Sequence, residues 1–120
     1  KDRVHDLGFV DYQDKYDAYS AALCLCQPSV NESFSIVIME SWITGRPVMV
    51  SDKCEVTKSF AIESKGGLYF NTYNEFKECL LLYFNNDKLS NKMGINGQQF
   101  VKNNFSWSVI DKYKKFIFED

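Results

Sequence analysis

Apolar residues change their spacing several times along this chain, and each change marks a predicted element. Residues 3–10, Arg-Val-His-Asp-Leu-Gly-Phe-Val, predict a short strand ending in a loop. Tyr16, Tyr19 and Ala22 recur at helical spacing and predict a short helix over 13–22. Leu23 to Cys26 predicts a second strand, stopped at Gln27-Pro28 because proline cannot donate to a ladder. Residues 34–44 fit two patterns. Ile36, Val37 and Ile38 are β-branched and suit a strand, whereas length and punctuation favour a buried helix. Ser33 or Ser35 can cap such a helix, and Gly45 stands where a left-handed terminator belongs.

Pro47 opens a third strand, Pro-Val-Met-Val-Ser-Asp. A loop and short helix follow over 53–65, around Cys54, Glu55 and Val56. Gly66-Gly67 turns into Leu68-Tyr69-Phe70, a short edge strand. Over 74–86 the residues Phe76, Leu80, Leu81 and Phe84 form one helix face, and Asn85-Asn86-Asp87 breaks it. Helices are also predicted over 88–103 and 107–118, the last capped by Ser106 with Ile110, Tyr113 and Ile117 on one side. Strands alternating with helices predict an α/β fold, a Rossmann-like doubly wound parallel sheet. Such sheets bind ligands at the carboxyl ends of their strands, where loops meet helix N-termini.

Composition removes several function classes. At 120 residues the chain suffices for one domain, 1–120. Its net charge is −2 and no basic stripe appears, which argues against nucleic acid as a partner. No apolar run reaches the ~20 residues that would span a bilayer. The four cysteines, Cys24, Cys26, Cys54 and Cys79, include no Cys-x-x-Cys pair, and His5 is the single histidine. Buried, reduced thiols in a cytosolic protein are expected, and no metal site. With only His5 to serve as a base, Ser29 and Ser33 are turn and cap residues rather than nucleophiles. The chain starts at Lys1 and enters a strand-like segment directly, so the expectation is a piece excised from something longer.

The chemistry concentrates in residues 28–40. This loop delivers the chain to a helix N-terminus, whose free N–H groups near Phe34, Ser35 and Ile36 make an anion site. Small residues at Ser33 and Ser35 let a diphosphate approach the backbone. Glu32 lies just ahead of the helix. Glu40 lies about one and a half turns inside it, among apolar Ile38, Met39 and Trp42. A carboxylate at that depth can accept hydrogen bonds from sugar hydroxyls, as acidic residues do for ribose in dinucleotide folds. Taken alone, Glu40 is as well explained as a helix carboxylate reaching solvent, and Glu32 can be an ordinary loop acid.

The residues resemble the retaining glycosyltransferases of family 4, which have the GT-B fold. The resemblance runs through Pro28-Ser29-Val30-Asn31-Glu32-Ser33-Phe34-Ser35, then Glu40, then Gly45-Arg46-Pro47-Val48-Met49-Val50-Ser51-Asp52. It continues in Leu7-Gly8-Phe9-Val10, Gly66-Gly67-Leu68-Tyr69-Phe70 and Phe105-Ser106-Trp107. A lone Glu-x7-Glu is weak, but this ordered set covers nearly the whole chain. It implies the C-terminal, donor-binding part of a GT-B enzyme that moves a sugar from a UDP- or GDP-sugar to a saccharide or lipid-linked acceptor with retention, without cofactor or metal. By resemblance Glu32 contacts the transferred sugar, Ser33 belongs to the phosphate loop, and backbone at Phe34, Ser35 and Ile36 holds the diphosphate. Glu40 holds the ribose, and Phe9 and Val10 border the base. A role in bacterial surface polysaccharide synthesis, in the cytoplasm at the inner membrane face with peripheral membrane association, goes with the family.

Two departures stand out. Serine replaces the family's frequent glycine at Ser33 and Ser35. The basic residues that neutralise the diphosphate lie upstream in the family, along with the acceptor domain, and neither Arg46 nor Lys15 is placed to replace them. If residues 3–10 are the third strand of a 3-2-1-4-5-6 sheet, the middle of the sheet is empty, and self-association of the chain would be one remedy. Other activities on this fold compete. An epimerase would need acid–base residues that are not found, and a non-catalytic nucleotide-binding or interaction module would account for the serines.

Overall fold

The computed structural model describes residues 3–105. The predicted helix over 107–118 and its Ser106 cap lie outside the described residues. The first helix, α1 (Tyr12–Ala21), starts at Asp11, whose carboxylate accepts from Asp14 N at 2.8 Å. Strand β1 (Leu25–Gln27) leads through a loop to α2 (Ile36–Ile43), so helix wins over strand in the ambiguous run. Then follow β2 (Val48–Ser51), α3 (Glu55–Ser64), β3 (Gly67–Phe70), α4 (Tyr73–Asn85) and α5 (Asp87–Asn104). Gly45 adopts φ +80° after α2, the left-handed conformation that ends a helix without Cβ strain. Thr72 and Glu75 close a capping box on α4.

The sheet is parallel with order β1-β2-β3. Leu25 pairs with Val48, and Val48 with Gly67. β2 is central and buried at all four positions. Successive side chains of a strand point to opposite faces. Val48 and Val50 therefore pack on Ile38, Trp42, Ala61 and Val101 from α2, α3 and α5, while Met49 packs on Cys79 and Tyr83 of α4. The Tyr83 hydroxyl donates to Val48 O at 2.8 Å, which satisfies a polar group that the core would otherwise strand.

Three expectations need correction. Residues 3–10 are not a strand. They run as an exposed loop, with Val4 80% and Phe9 108% exposed and His5 also exposed, because no neighbouring strand among the described residues offers a ladder. The three strands are contiguous, so the sheet is not empty in its middle; β1 is simply its edge. Second, the cysteines are not uniformly buried. Cys54 and Cys79 are, but Cys24 is half-buried and Cys26 exposed, since an edge strand is covered less. Third, α4 turns Phe76, Cys79 and Tyr83 inward, leaving Leu80, Leu81 and Phe84 exposed. The hydrogen bond available to Tyr83 selects that face.

Trp42 ties the helical layer together. It is fully buried and its Nε1 donates to Gly66 O at 3.0 Å. α5 reaches α2 closely only because Gly97 and Gly94 lack side chains: a Cβ on Gly97 would enter the Trp42 ring, and one on Gly94 would meet the Gly45 carbonyl oxygen. Backbone cannot yield as a flexible side chain can. Gly94→Ala is therefore expected to destabilise the chain by ~1–3 kcal/mol, read as a lower urea midpoint at unchanged m-value; an unchanged midpoint would show that α5 does not depend on this approach.

Candidate functional site

The loop 28–35 leaves the carboxyl end of β1 and enters α2 at Ser35. Ser35 has extended backbone and makes no side-chain cap bond to the helix, and its buried Oγ has no hydrogen-bond partner among the described residues. The first N–H groups of α2 thus lack a side-chain cap. Phe34 turns away into the core, its ring 5.8 Å from Phe60 and 5.7 Å from Phe105. Ile36 is the first residue of the helix and is half-buried.

Glu32 and Ser33 open onto a cleft of about 630 Å³, shared with Lys53, Cys54 and Glu55 at the start of α3. The cleft therefore lies where the carboxyl ends of β1 and β2 pass into helices, the usual ligand position in a parallel sheet. Gln27 Nε2 donates to Glu32 Oε1 at 2.9 Å and reaches Ser29 Oγ at 3.3 Å, which fixes the carboxylate at the cleft wall. Cys54 stands at the N-cap position of α3 without a side-chain cap bond to the helix, and hydrogen bonding with Thr57 lowers its thiol below the usual range.

Glu40 does not line this cleft. It is 1% exposed, beneath α1. Lys15 Nζ lies 3.3 Å from Glu40 Oε1, and Tyr19 OH donates to the same oxygen at 3.0 Å. Burial, and next the charge of Glu40, push the Tyr19 phenol well above its ordinary value, so it stays a donor. The same two causes raise Tyr16. Glu40 Oε2 is buried with no hydrogen-bond partner among the described residues. Val10 lies beside Lys15 and Tyr19 in a separate cavity of about 320 Å³, which Leu7 and Gly8 also line; Phe9 points into solvent.

The structure thus groups Glu32 with Ser33, and Glu40 with α1, on different sides of α2. Sequence reasoning missed Gln27, Lys15 and Tyr19. Lys15 and Tyr19 stand four residues apart, the spacing that puts two groups on one helix face, and this was the available signal. Among the described residues no three His, Cys, Asp or Glu side chains gather into a metal-binding group.

The family model for glycosyl transferases group 1 matches residues 1–100. An uncharacterised glycosyltransferase of Methanocaldococcus jannaschii is 33% identical over 85 residues, 69% of this chain and 24% of that protein. Among solved structures, sucrose-phosphate synthase of Thermosynechococcus elongatus superposes with a TM-score of 0.80 at 25% identity, over 98% of this chain and 30% of that one. WaaG, a glycosyltransferase involved in lipopolysaccharide biosynthesis, gives a TM-score of 0.71 at 19% identity, over 93% of this chain and 31% of its own. The chain thus spans 24% to 31% of the length of these relatives.

The thiols should report the two environments. Burial first, then Cys26 and Cys79 beside it, pushes Cys24 up to about 11, whereas Cys54 is lowered. The thiolate is the reactive form. Alkylation by iodoacetamide, followed by peptide mass spectrometry, is expected to keep rising with pH at Cys24 up to pH 10. At Cys54 the rise should level off earlier than for an ordinary thiol. Matching profiles in the folded chain would contradict these environments.

Proposed function

The chain belongs to the glycosyl transferases group 1 family, and from that premise we propose that it is the donor-binding part of a retaining GT-B glycosyltransferase. The observation that carries this is the loop 28–35, which brings Glu32 and Ser33 to the cleft directly ahead of an uncapped helix N-terminus. An anion is favoured at such a terminus by the free N–H groups and the helix dipole. In this reading the diphosphate of a UDP- or GDP-sugar lies on the backbone of Phe34, Ser35 and Ile36. Glu32, held by Gln27, meets the transferred sugar, and Glu40 accepts from the ribose. Phe9 and Val10 border the base through the loop they occupy.

The intact parent is proposed to be a hexosyltransferase that transfers the sugar to a saccharide or lipid-linked acceptor of the bacterial surface, working in the cytoplasm at the inner membrane face and needing no metal. The positive charge facing the diphosphate and the acceptor-binding domain are proposed to lie upstream of this chain. Three consequences are measurable. Titration of the chain with UDP, GDP and ADP, followed by NMR, should show binding by at least one; absence of binding by all three, to the chain and to the intact parent, would sink the reading. Glu40→Ala should weaken that binding about tenfold, the loss expected for a hydrogen bond to a charged group. The 120-residue chain is expected not to transfer sugar by itself, and turnover of a nucleotide-sugar by it alone would overturn that assignment of the basic half.

A further inference from the structure

The α1 helix has no fully buried residue. A helix without a buried apolar stripe is poorly held by the hydrophobic effect, so its polar contacts matter more. Lys15 and Tyr19 both converge on Oε1 of Glu40, from one face of α1 and one turn apart. Tyr19 is half-buried, and the Lys15 side chain is 25% exposed, at the rim. Glu40 itself sits on an eight-residue helix whose neighbouring Ile38, Met39 and Trp42 are fully buried. A carboxylate placed among such groups is costly unless it is paired and hydrogen-bonded. Lys15 supplies the opposite charge, and Tyr19 supplies a directed donor.

That pairing is one-sided. Oε1 takes both contacts, while Oε2 is buried and makes no hydrogen bond among the described residues. An ionised carboxylate offers about four lone-pair sites, and a buried unfilled acceptor costs ~1–3 kcal/mol. Held at one oxygen and empty at the other, the group is oriented to receive a further donor. The two residues that hold Oε1, Lys15 and Tyr19, also line the cavity beside α1, together with Ser41 and Val10.

We propose that Lys15 and Tyr19 are positioning residues of the ribose site: they hold Glu40 by Oε1 and so present Oε2 to a ribose hydroxyl of the donor nucleotide. This rests on the ribose role of Glu40 given above. Lys15 neutralises the carboxylate and Tyr19 sets its rotation. Neither touches the sugar being transferred. Selection for a ribonucleotide over a deoxyribonucleotide follows, because a missing hydroxyl leaves Oε2 unfilled.

The test compares UDP, GDP and ADP with their 2′-deoxy and 3′-deoxy counterparts, titrated into the 120-residue chain by NMR. The wild-type chain is expected to bind the ribonucleotide about tenfold more tightly than the weaker deoxy form. Lys15→Met and Tyr19→Phe should each bring ribonucleotide affinity close to the deoxy value. Amide spectra with the dispersion of the wild-type chain show that the variants fold. Lys15→Arg, which keeps the charge, should retain most of the preference. If Glu40→Ala abolishes the preference while Lys15→Met and Tyr19→Phe keep it, the positioning role is wrong and the ribose role stands. If the wild-type chain shows no preference and Glu40→Ala changes nothing, the ribose role fails with it.

Discussion

The need to cover α2 on every side organises this molecule. Ile38, Met39, Glu40, Ser41 and Trp42 are consecutive and buried. A helix buried around its circumference cannot stand at a surface. The sheet covers it through Val48 and Val50, α5 covers it through Phe100 and Val101, and α1 covers the side that carries Glu40. Trp42 spans two of these contacts at once, bonded to Gly66 and seated against Gly97. The tight approach of α5 follows from glycine at 94 and 97. The left-handed turn at Gly45 lets the chain leave α2 and enter β2.

That same requirement places the chemistry. Because α2 is central, its N-terminus emerges between the ends of β1 and β2, where the loop carrying Glu32 also lies. The cleft is thus a product of the topology. Glu40 is the exception within the buried helix, and its cost is met by partners on α1. The two carboxylates serve different sides of one short helix. One side opens on the cleft and the other lies beneath α1, whose Lys15 and Tyr19 also line the second cavity. The physical link between fold and proposed donor binding is therefore α2 itself, with its dipole, its uncapped start and its single buried charge.

The edge strand explains where the chain differs from expectation. Among the described residues β1 pairs only with β2. Its alternating cysteines read as a buried strand, yet Cys26 is exposed because nothing lies along the outer edge among the described residues. The segment 3–10 has strand-like composition but no ladder to join among the described residues, and composition alone cannot supply one. A similar lesson comes from α4, where Leu80, Leu81 and Phe84 are as apolar as Cys79 and Tyr83. Periodicity permitted either face. The hydrogen bond from Tyr83 to Val48 O decided between them.

The sequence by itself determined the alternation of strands and helices, the breaks at Pro28, Gly45 and Asn86, and the ordered set from Pro28 to Asp52 that marks the family. These are local matters of spacing, proline and glycine geometry, and residue order, and so they are legible along the chain. Only the tertiary structure decided which partners each carboxylate has. Gln27 reaches Glu32 across five residues of a loop, and Lys15 and Tyr19 reach Glu40 across more than twenty positions, from a different helix. Contacts of that separation depend on how α1 lies on α2. That docking is set by the shape of the whole packed layer and by the need to neutralise one buried charge, and neither is written in local periodicity.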